Sequence, residues 1–279
     1  MDSWEVPAGA RSISIEGYPL TYTEAGDGEP LLLIHGSLND YRSWDAQVGA
    51  FQERYRTLAI SLRHYYPEPW AGEGGEFSLS RHAADVIAFI RALKLSPVRL
   101  LGHSRGGAVA YMVARAAPEL IRALVLAEPR GMEDLLPGED AAIDGASSNR
   151  AIFDALHVAL QSGSRVEAAR AFIDAFNGPG SWAAMPARQQ TIILDNIATG
   201  IDSGELPGMR CEDIARFTFP ILLIRGEKSL RRYELGMEAM RRCNAAIEEV
   251  VVVPGAPHGM HRTNPEFFNS AVFDFLARN

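Results

Sequence analysis

Residues 98 to 109 read Val-Arg-Leu-Leu-Gly-His-Ser-Arg-Gly-Gly-Ala-Val, a mostly apolar run that leads into a glycine-rich turn and then into an alanine-rich helical pattern. This order predicts a strand, a sharp turn with Ser104 at its apex, and a helix. Gly102 and Gly106 flank the serine, because a Cβ atom at either position would collide with the backbone of the neighbouring strand or helix. The stretch therefore predicts a serine hydroxyl that stands clear of the sheet edge, beside the unpaired N–H groups of a helix N-terminus.

Strand-like runs alternate with helical patterns on both sides of this turn. The predicted strands lie at residues 11–17, 20–26, 30–36, 58–63, 98–101, 123–129, 220–226 and 248–253. The first two alternate polar and apolar residues and indicate an antiparallel hairpin. The others are apolar runs, typical of parallel strands that are covered on both faces. Together with helical patterns at 79–95, 106–117 and 265–277, they predict an α/β fold with a doubly wound parallel sheet.

The alternation stops between residues 131 and 216, where no strand-like run occurs. Helical patterns at 151–160, 165–176 and 187–201 fill this segment. The sequence therefore predicts an all-helical cap at 131–216, inserted into a core formed by residues 1–130 and 217–279. More than half of the cap's apolar side chains are expected to pack in its own small core, and the rest to form a hydrophobic ceiling: Leu135, Phe153, Leu156, Leu160, Phe172, Phe176, Trp182, Met185 and Ile192.

Composition and charge exclude several classes of function. The chain has 279 residues, and its formal net charge of -8 argues against nucleic acid or an anionic membrane as a partner. The net charge says little about a small-molecule substrate, which is the expected partner. Residues 1–7 lack the basic and apolar segments of a secretory signal, and no apolar run is long enough to cross a membrane. Cys211 and Cys243 are interpreted as two reduced thiols, so a cytoplasmic location is expected. The oligomeric state is not predicted.

A serine hydroxyl needs a base to become a nucleophile, and histidine is the usual one. His258 is favoured among the seven histidines because its loop, residues 255–259, follows the last predicted strand at the carboxyl edge of the sheet. His261 in the same loop is the alternative. Four of the other histidines are interpreted as packing, hydrogen-bonded or surface residues: His35, His82, His103 and His157.

A carboxylate is expected to orient the base. Glu128 comes directly at the end of the sixth strand, where a carboxylate is costly to bury without a partner. Glu227, after the seventh strand, is the alternative acid. The two oxyanion donors are expected to be the backbone N–H groups of Arg105 and of Ser37, with Gly36 allowing the backbone to approach closely.

These residues resemble the α/β-hydrolase superfamily over nearly the whole chain. The resemblance rests on His35-Gly36 after the third strand, on Trp44, on Gly102-x-Ser104-x-Gly106 and on Gly255-x-x-His258. It implies an α/β-hydrolase fold, with an eight-stranded, mostly parallel sheet flanked by helices and a helical cap above the site. It also implies a Ser-acid-His triad in that chain order, with no metal and no cofactor.

Two segments depart from the superfamily's usual pattern. Residues 61–67 read Ser-Leu-Arg-His-Tyr-Tyr-Pro where many members carry Asp-x-x-Gly-x-Gly. Ser229 stands where many members carry the triad Asp after the seventh strand. Some members place the acid after the sixth strand instead, which favours Glu128. The haloalkane dehalogenases and epoxide hydrolases of the superfamily use an Asp nucleophile, so Ser104 argues against both.

The leading hypothesis is a cofactor-independent serine hydrolase, an esterase or lactonase that forms an acyl-enzyme on Ser104. One alternative is a carbon–carbon bond hydrolase of diketone-type substrates that uses the same triad, with a substrate carboxylate met by Arg42, Arg63, His64 or Arg105. Another is a ligand-binding receptor on a hydrolase fold with vestigial chemistry. The residues expected in the substrate pocket are Gly36, Arg63, His64 and Trp182.

Overall fold

The computed structural model describes residues 4–136, 149–161, 163–200, 205, 207–247 and 249–279. Eight strands form one sheet in the order β1-β2-β4-β3-β5-β6-β7-β8. The strands are β1 (Arg11–Ile15), β2 (Tyr18–Ala25), β3 (Glu29–Ile34), β4 (Tyr55–Ile60), β5 (Val98–His103), β6 (Ile121–Ala127), β7 (Ile221–Gly226) and β8 (Val250–Val253). β1 and β2 form the predicted antiparallel hairpin, β2 also pairs antiparallel with β4, and every later pairing is parallel. The predicted fold class is confirmed.

The register of the parallel strands brings their carboxyl ends level. Ile34 of β3 pairs with Gly102 of β5, which pairs with Leu126 of β6. Ala127 of β6 pairs in turn with Ile224 of β7. The segments that follow β3, β5, β6 and β7 therefore leave the sheet along one edge, which is where parallel α/β sheets form their sites.

Helices cover both faces of the sheet. They are α1 (Asp45–Phe51), α2 (Leu79–Ala92), α3 (Arg105–Ala116), α4 (Asn149–Gln161), α5 (Arg165–Asn177), α6 (Ser181–Ala184), α7 (Ala187–Asp195), α8 (Cys211–Ile214), α9 (Arg231–Cys243), α10 (Met260–Thr263) and α11 (Pro265–Arg278). Successive residues of β3 alternate between two apolar cores, with Leu32 and Ile34 in one and Leu31 and Leu33 in the other. This double coverage explains why β3 reads as a continuous apolar run.

The described residues between β6 and β7 form helices and no strand. Helices α4 to α7 enclose a third apolar core, which includes Phe153, Phe172, Trp182 and the core residue Leu38. Residues 137–148, 162, 201–204 and 206 of the predicted cap lie outside the described residues. The division into a cap at 131–216 and a core at 1–130 and 217–279 stays a prediction.

The prediction of two reduced thiols is wrong. Cys211, the first residue of α8, forms a disulfide with Cys243, the last residue of α9, and their Cα atoms lie 5.0 Å apart. The two cysteines are 32 residues apart in sequence, and their pairing depends on how α8 packs against α9, which spacing does not reveal. Reduced thiols therefore no longer support a cytoplasmic location. Over the described ranges, no helix is long and apolar enough to cross a membrane.

Candidate active site

Ser104 lies at the turn between β5 and α3, with φ 53° and ψ −115°. A non-glycine residue in this region is strained by about 1–3 kcal/mol. An ideal Cβ built on Gly102 would lie 2.3 Å from the Gly106 carbonyl oxygen, and one built on Gly106 would lie 2.2 Å from the Ile34 carbonyl oxygen. Only glycine fits at both positions, as the sequence predicts, and the strained turn is held between β5, β3 and α3.

His258 and Glu128 form a buried pair beside this turn. The imidazole Nδ1 lies 2.5 Å from Glu128 Oε2. The other carboxylate oxygen, Oε1, accepts a hydrogen bond from the backbone N–H of Gly226 at 2.8 Å. Glu128 is fully buried and follows β6 directly, with a positive φ of 45°. Two hydrogen bonds therefore fix the carboxylate, and one of its oxygens contacts the Nδ1 edge of the histidine ring.

The alternative acid and the alternative base lie elsewhere. Glu227 is exposed, and its carboxylate accepts a hydrogen bond from the backbone N–H of Gly255 at 2.7 Å. His261 is buried between two other rings, 4.6 Å from the Trp44 ring and 4.5 Å from the His103 ring. Of the two acids and two bases weighed from the sequence, only Glu128 and His258 are brought into contact.

Burial shifts the pKa of both members of this pair against their charged forms. It raises the pKa of the Glu128 carboxyl to about 8, although the hydroxyl of Ser229, the Gly226 N–H and the charges of Arg225 and Arg232 all act to lower it. Burial also lowers the pKa of His258, and the nearby charges of Arg232 and Arg262 lower it further. Burial therefore disfavours the ionised form of each of the two side chains taken by itself.

A narrow cleft of about 30 Å³ lies beside Ser104 and His258. Its apolar lining comes from α4 and α5, namely Phe153, Phe172, Ile173 and Phe176. Its polar lining comprises Ser37, Asn39, His103 and Asn177. Two cationic side chains, Arg130 and Arg262, also line it. The cleft is small by the standard of ligand sites, and it combines an aromatic side with a cationic one.

The two predicted oxyanion donors border the same turn. An ideal Cβ on Gly36 would lie 3.2 Å from Ser104 Cβ and 2.9 Å from His103 Nδ1, so the backbone after β3 packs directly against the serine. Ser37 follows and lines the cleft. Arg105 is the first residue of α3. Both backbone segments that were predicted to supply donors are thus adjacent to Ser104.

None of the four predicted pocket residues lines this cleft, although the backbone of Gly36 packs against Ser104. Arg63 forms an ion pair with Asp85 at 2.8 Å. His64 stacks on Trp70 with ring centroids 4.6 Å apart. Trp182 is buried in the apolar core of helices α4 to α7.

The other arginines proposed to meet a substrate carboxylate also have partners elsewhere. Arg42 forms ion pairs with Asp40 and Asp195, and the guanidinium of Arg105 lies 4.4 Å from the centre of the Phe77 ring.

Arg130 and Arg262 are the cations that sequence reasoning missed. Arg130 lies two residues after Glu128, and its backbone N–H donates to the Ser104 carbonyl oxygen at 3.0 Å. Arg262 lies four residues after His258, in α10. Their position in the sequence could have indicated both arginines. A residue that closely follows a catalytic candidate at the sheet edge lies in the same surroundings as that candidate.

Comparison with known proteins identifies the family of this chain. Residues 31–271 match the model of the alpha/beta hydrolase family. This chain belongs to that family. A relative from Mesorhizobium japonicum, 2-(acetamidomethylene)succinate hydrolase, is 24% identical over 279 residues, which cover 96% of this chain and 95% of the relative.

Solved structures of α/β hydrolases share the fold. The crystal structure of E-2-(acetamidomethylene)succinate hydrolase superimposes with a TM-score of 0.72 at 22% identity, covering 96% of this chain and 98% of the other. A thermophilic esterase from Thermogutta terrifontis superimposes with a TM-score of 0.75 at 22% identity, covering 97% and 99%. Family membership and the names of the relatives support hydrolase activity for this chain.

Proposed function

We propose that this α/β hydrolase is a serine hydrolase that cleaves carboxylic esters or lactones through an acyl-enzyme on Ser104. One observation carries the proposal: a serine on a strained turn and a histidine bonded to a buried carboxylate line the same cleft. An inert glycine-rich turn has no need of a buried Glu–His pair beside it, because burying a carboxylate is costly.

In the proposed mechanism, Glu128 is ionised and accepts the Nδ1–H of His258, which leaves Nε2 free as the base. His258 takes the proton of the Ser104 hydroxyl as the oxygen attacks the carbonyl carbon. The same proton then passes to the leaving alcohol, whose bond to the carbonyl carbon breaks to give the acyl-enzyme. Water, deprotonated by His258, attacks the acyl-enzyme and releases the carboxylic acid and free Ser104.

The oxyanion of each tetrahedral intermediate is proposed to accept hydrogen bonds from the backbone N–H groups of Ser37 and Arg105. Such fixed donors are among the largest contributors to catalysis in acyl transfer. The close packing of Gly36 against Ser104 supports this assignment. The segment 131–216 is proposed to act as the cap over the site, since Phe153, Phe172 and Phe176 of its helices line the cleft.

Folded protein is expected to react with phenylmethylsulfonyl fluoride and with a fluorophosphonate at Ser104 alone, because only an activated serine attacks these reagents at a useful rate. Intact-mass spectrometry and peptide mapping measure the adduct. Heat-denatured protein is the control and is expected to stay unmodified. If neither reagent modifies the folded protein, the serine is not activated and a ligand-binding role without catalysis is favoured.

We expect kcat/KM for a neutral ester to fall about tenfold per pH unit below pH 8 and to level off above it, since burial raises the pKa of Glu128 to about 8. When the carboxyl holds a proton it donates to His258 Nδ1, so the proton of the neutral imidazole sits on Nε2 and the base is lost. Initial rates between pH 5.5 and 9.5 measure this fall of kcat/KM, the acidic limb of the pH profile. Glu128→Gln removes the titrating carboxyl, so its residual activity should not show a limb near pH 8. A wild-type profile that stays level down to pH 6 would contradict the assignment.

A further inference from the structure

Arg262 places a guanidinium in the wall of the cleft that holds Ser104 and His258. Its Nη1 donates a hydrogen bond to Asn39 Oδ1 at 2.6 Å. Asn39 is neutral, and its own amide N–H donates to the Ser37 carbonyl oxygen at 2.8 Å. The guanidinium is therefore held in place by a side chain that does not neutralise its charge.

The positive charge of Arg262 lacks a carboxylate partner within the described ranges. In contrast, Arg42 and Arg63 beside the same sheet edge each pair with an aspartate. Burial lowers the pKa of Arg262 to about 10, and no nearby acid raises it again. A partly buried cation without a counter-charge is costly for folding. This cost indicates that an anion from outside the chain pairs with the guanidinium of Arg262.

We propose that Arg262 binds a carboxylate of the substrate, so that the enzyme acts on acyl compounds that carry a free carboxylate besides the bond that is cleaved. This inference rests on the proposed serine hydrolase function. The planar guanidinium fork matches a carboxylate in two parallel hydrogen bonds. Half-esters of dicarboxylic acids, in which the acyl part keeps one free carboxylate, are the simplest members of this class.

An outer groove beside Arg262, with a volume of about 280 Å³, leaves space for such a group. Arg262 and Asn177 line both the cleft and an outer groove bounded by Ser181, Met185 and Gln189. An ideal Cβ on Gly259 would lie 3.2 Å from Arg262 Nη2 and 3.1 Å from Asn177 Oδ1, so the glycine keeps this junction open. A carboxylate that enters from the groove thus meets Arg262 before the reacting carbonyl reaches Ser104.

Binding at Arg262 also couples to the base. The charge of Arg262 acts to lower the pKa of His258, and so it opposes formation of the imidazolium during attack by Ser104. A bound carboxylate neutralises that charge and removes the opposition. For an anionic substrate we therefore expect a higher kcat as well as a lower KM than for a neutral one.

The test compares two matched substrates, p-nitrophenyl hydrogen adipate and its neutral amide, p-nitrophenyl adipamate. Wild-type protein is expected to prefer the acid at least tenfold in kcat/KM. In Arg262→Met the ratio of acid to amide should fall by about 10–100-fold, in line with the loss of a charge-assisted hydrogen-bonded pair. Arg262→Lys keeps the charge but loses the fork and should retain an intermediate preference.

Arg241→Met is the matched control, because it removes the same charge from a half-buried site on α9, where Arg241 pairs with Glu238. Its acid-to-amide ratio should equal that of the wild type. An unchanged ratio in Arg262→Met, or an equal fall in Arg241→Met, would overturn the proposal. Modification by phenylmethylsulfonyl fluoride reports whether the variants keep an assembled site.

A binding measurement separates this proposal from the proposed function. Calorimetric titration of Ser104→Ala protein with p-nitrophenyl hydrogen adipate needs no turnover, and Arg262→Met in that background should weaken binding by about 10–100-fold. Two results together would refute the hydrolase mechanism alone: binding that depends on Arg262, and no modification of Ser104 by phenylmethylsulfonyl fluoride or the fluorophosphonate. Modification and turnover without dependence on Arg262 would refute the carboxylate site alone. Inorganic phosphate and adipate are then compared as competitors of the half-ester. If phosphate displaces the half-ester at the same concentration as adipate does, the site binds anions in general, and this would also overturn the proposal.

Discussion

Ser104→Ala is expected to lower kcat for ester hydrolysis by about a million-fold, the scale observed when the nucleophile of a serine triad is removed. The residual rate should still exceed that of the uncatalysed reaction by about 10³–10⁴, because the oxyanion donors and the binding surfaces remain. Single-turnover and steady-state assays on freshly purified protein measure the loss. Ser270→Ala on the exposed face of α11 is the matched control and should keep wild-type rates.

The alanine variant should fold, since the backbone at residue 104 is held by its neighbours and not by the hydroxyl. The Ser104 N–H donates to the Ala127 carbonyl oxygen at 3.0 Å, and the Ser104 carbonyl accepts from Ala108 and Arg130. Thermal unfolding of the two proteins should therefore be similar. Retention of more than a few per cent of turnover by a folded variant would mean that another group is the nucleophile.

The sheet and the serine turn could be predicted from sequence because their signals are local. Burial of both faces makes β3 an apolar run, and steric exclusion of any Cβ fixes Gly102 and Gly106. Glu128 could be ranked above Glu227 because a serine at position 229 leaves no acid at the superfamily's usual place. Boundaries were harder to predict: β4 begins at Tyr55, three residues before the predicted start, because polar residues at the strand's start read as loop.

The lining of the pocket could not be predicted, since it depends on partners that are distant in sequence. Arg63 comes after a sheet strand, as a substrate-binding cation would, but Asp85 from the distant helix α2 neutralises it. Arg42 pairs with Asp195, which is distant in sequence, as well as with the nearby Asp40. Arg262 looked ordinary in sequence because its neighbours Asn39 and Asn177 come from two other parts of the chain. The disulfide between Cys211 and Cys243 was missed for the same reason.

Glu128→Gln is expected to lower kcat/KM by about 10⁴-fold, although glutamine has nearly the same shape. The reason lies in the second hydrogen bond of the carboxylate. The Gly226 N–H donates to Oε1, so the amide oxygen of glutamine must face Gly226 and its NH₂ group must face His258. The NH₂ group then donates to Nδ1, which moves the imidazole proton to Nε2 and removes the base, the effect expected of a wrong tautomer.

Glu227→Gln supplies the matched control, because it makes the same chemical change on the exposed acid that bonds only Gly255 N–H among the described contacts. Its kcat/KM should stay within about threefold of the wild type. Glu128→Asp keeps the carboxylate but moves it away from His258 by one methylene. Its kcat/KM should fall less than that of the glutamine variant, and its pH profile should still fall on the acidic side. A loss smaller than tenfold in Glu128→Gln, or a large loss in Glu227→Gln, would return the acid to the segment after β7. The orientation imposed by Gly226 makes the outcome specific: a carboxylate that only filled space would tolerate the amide.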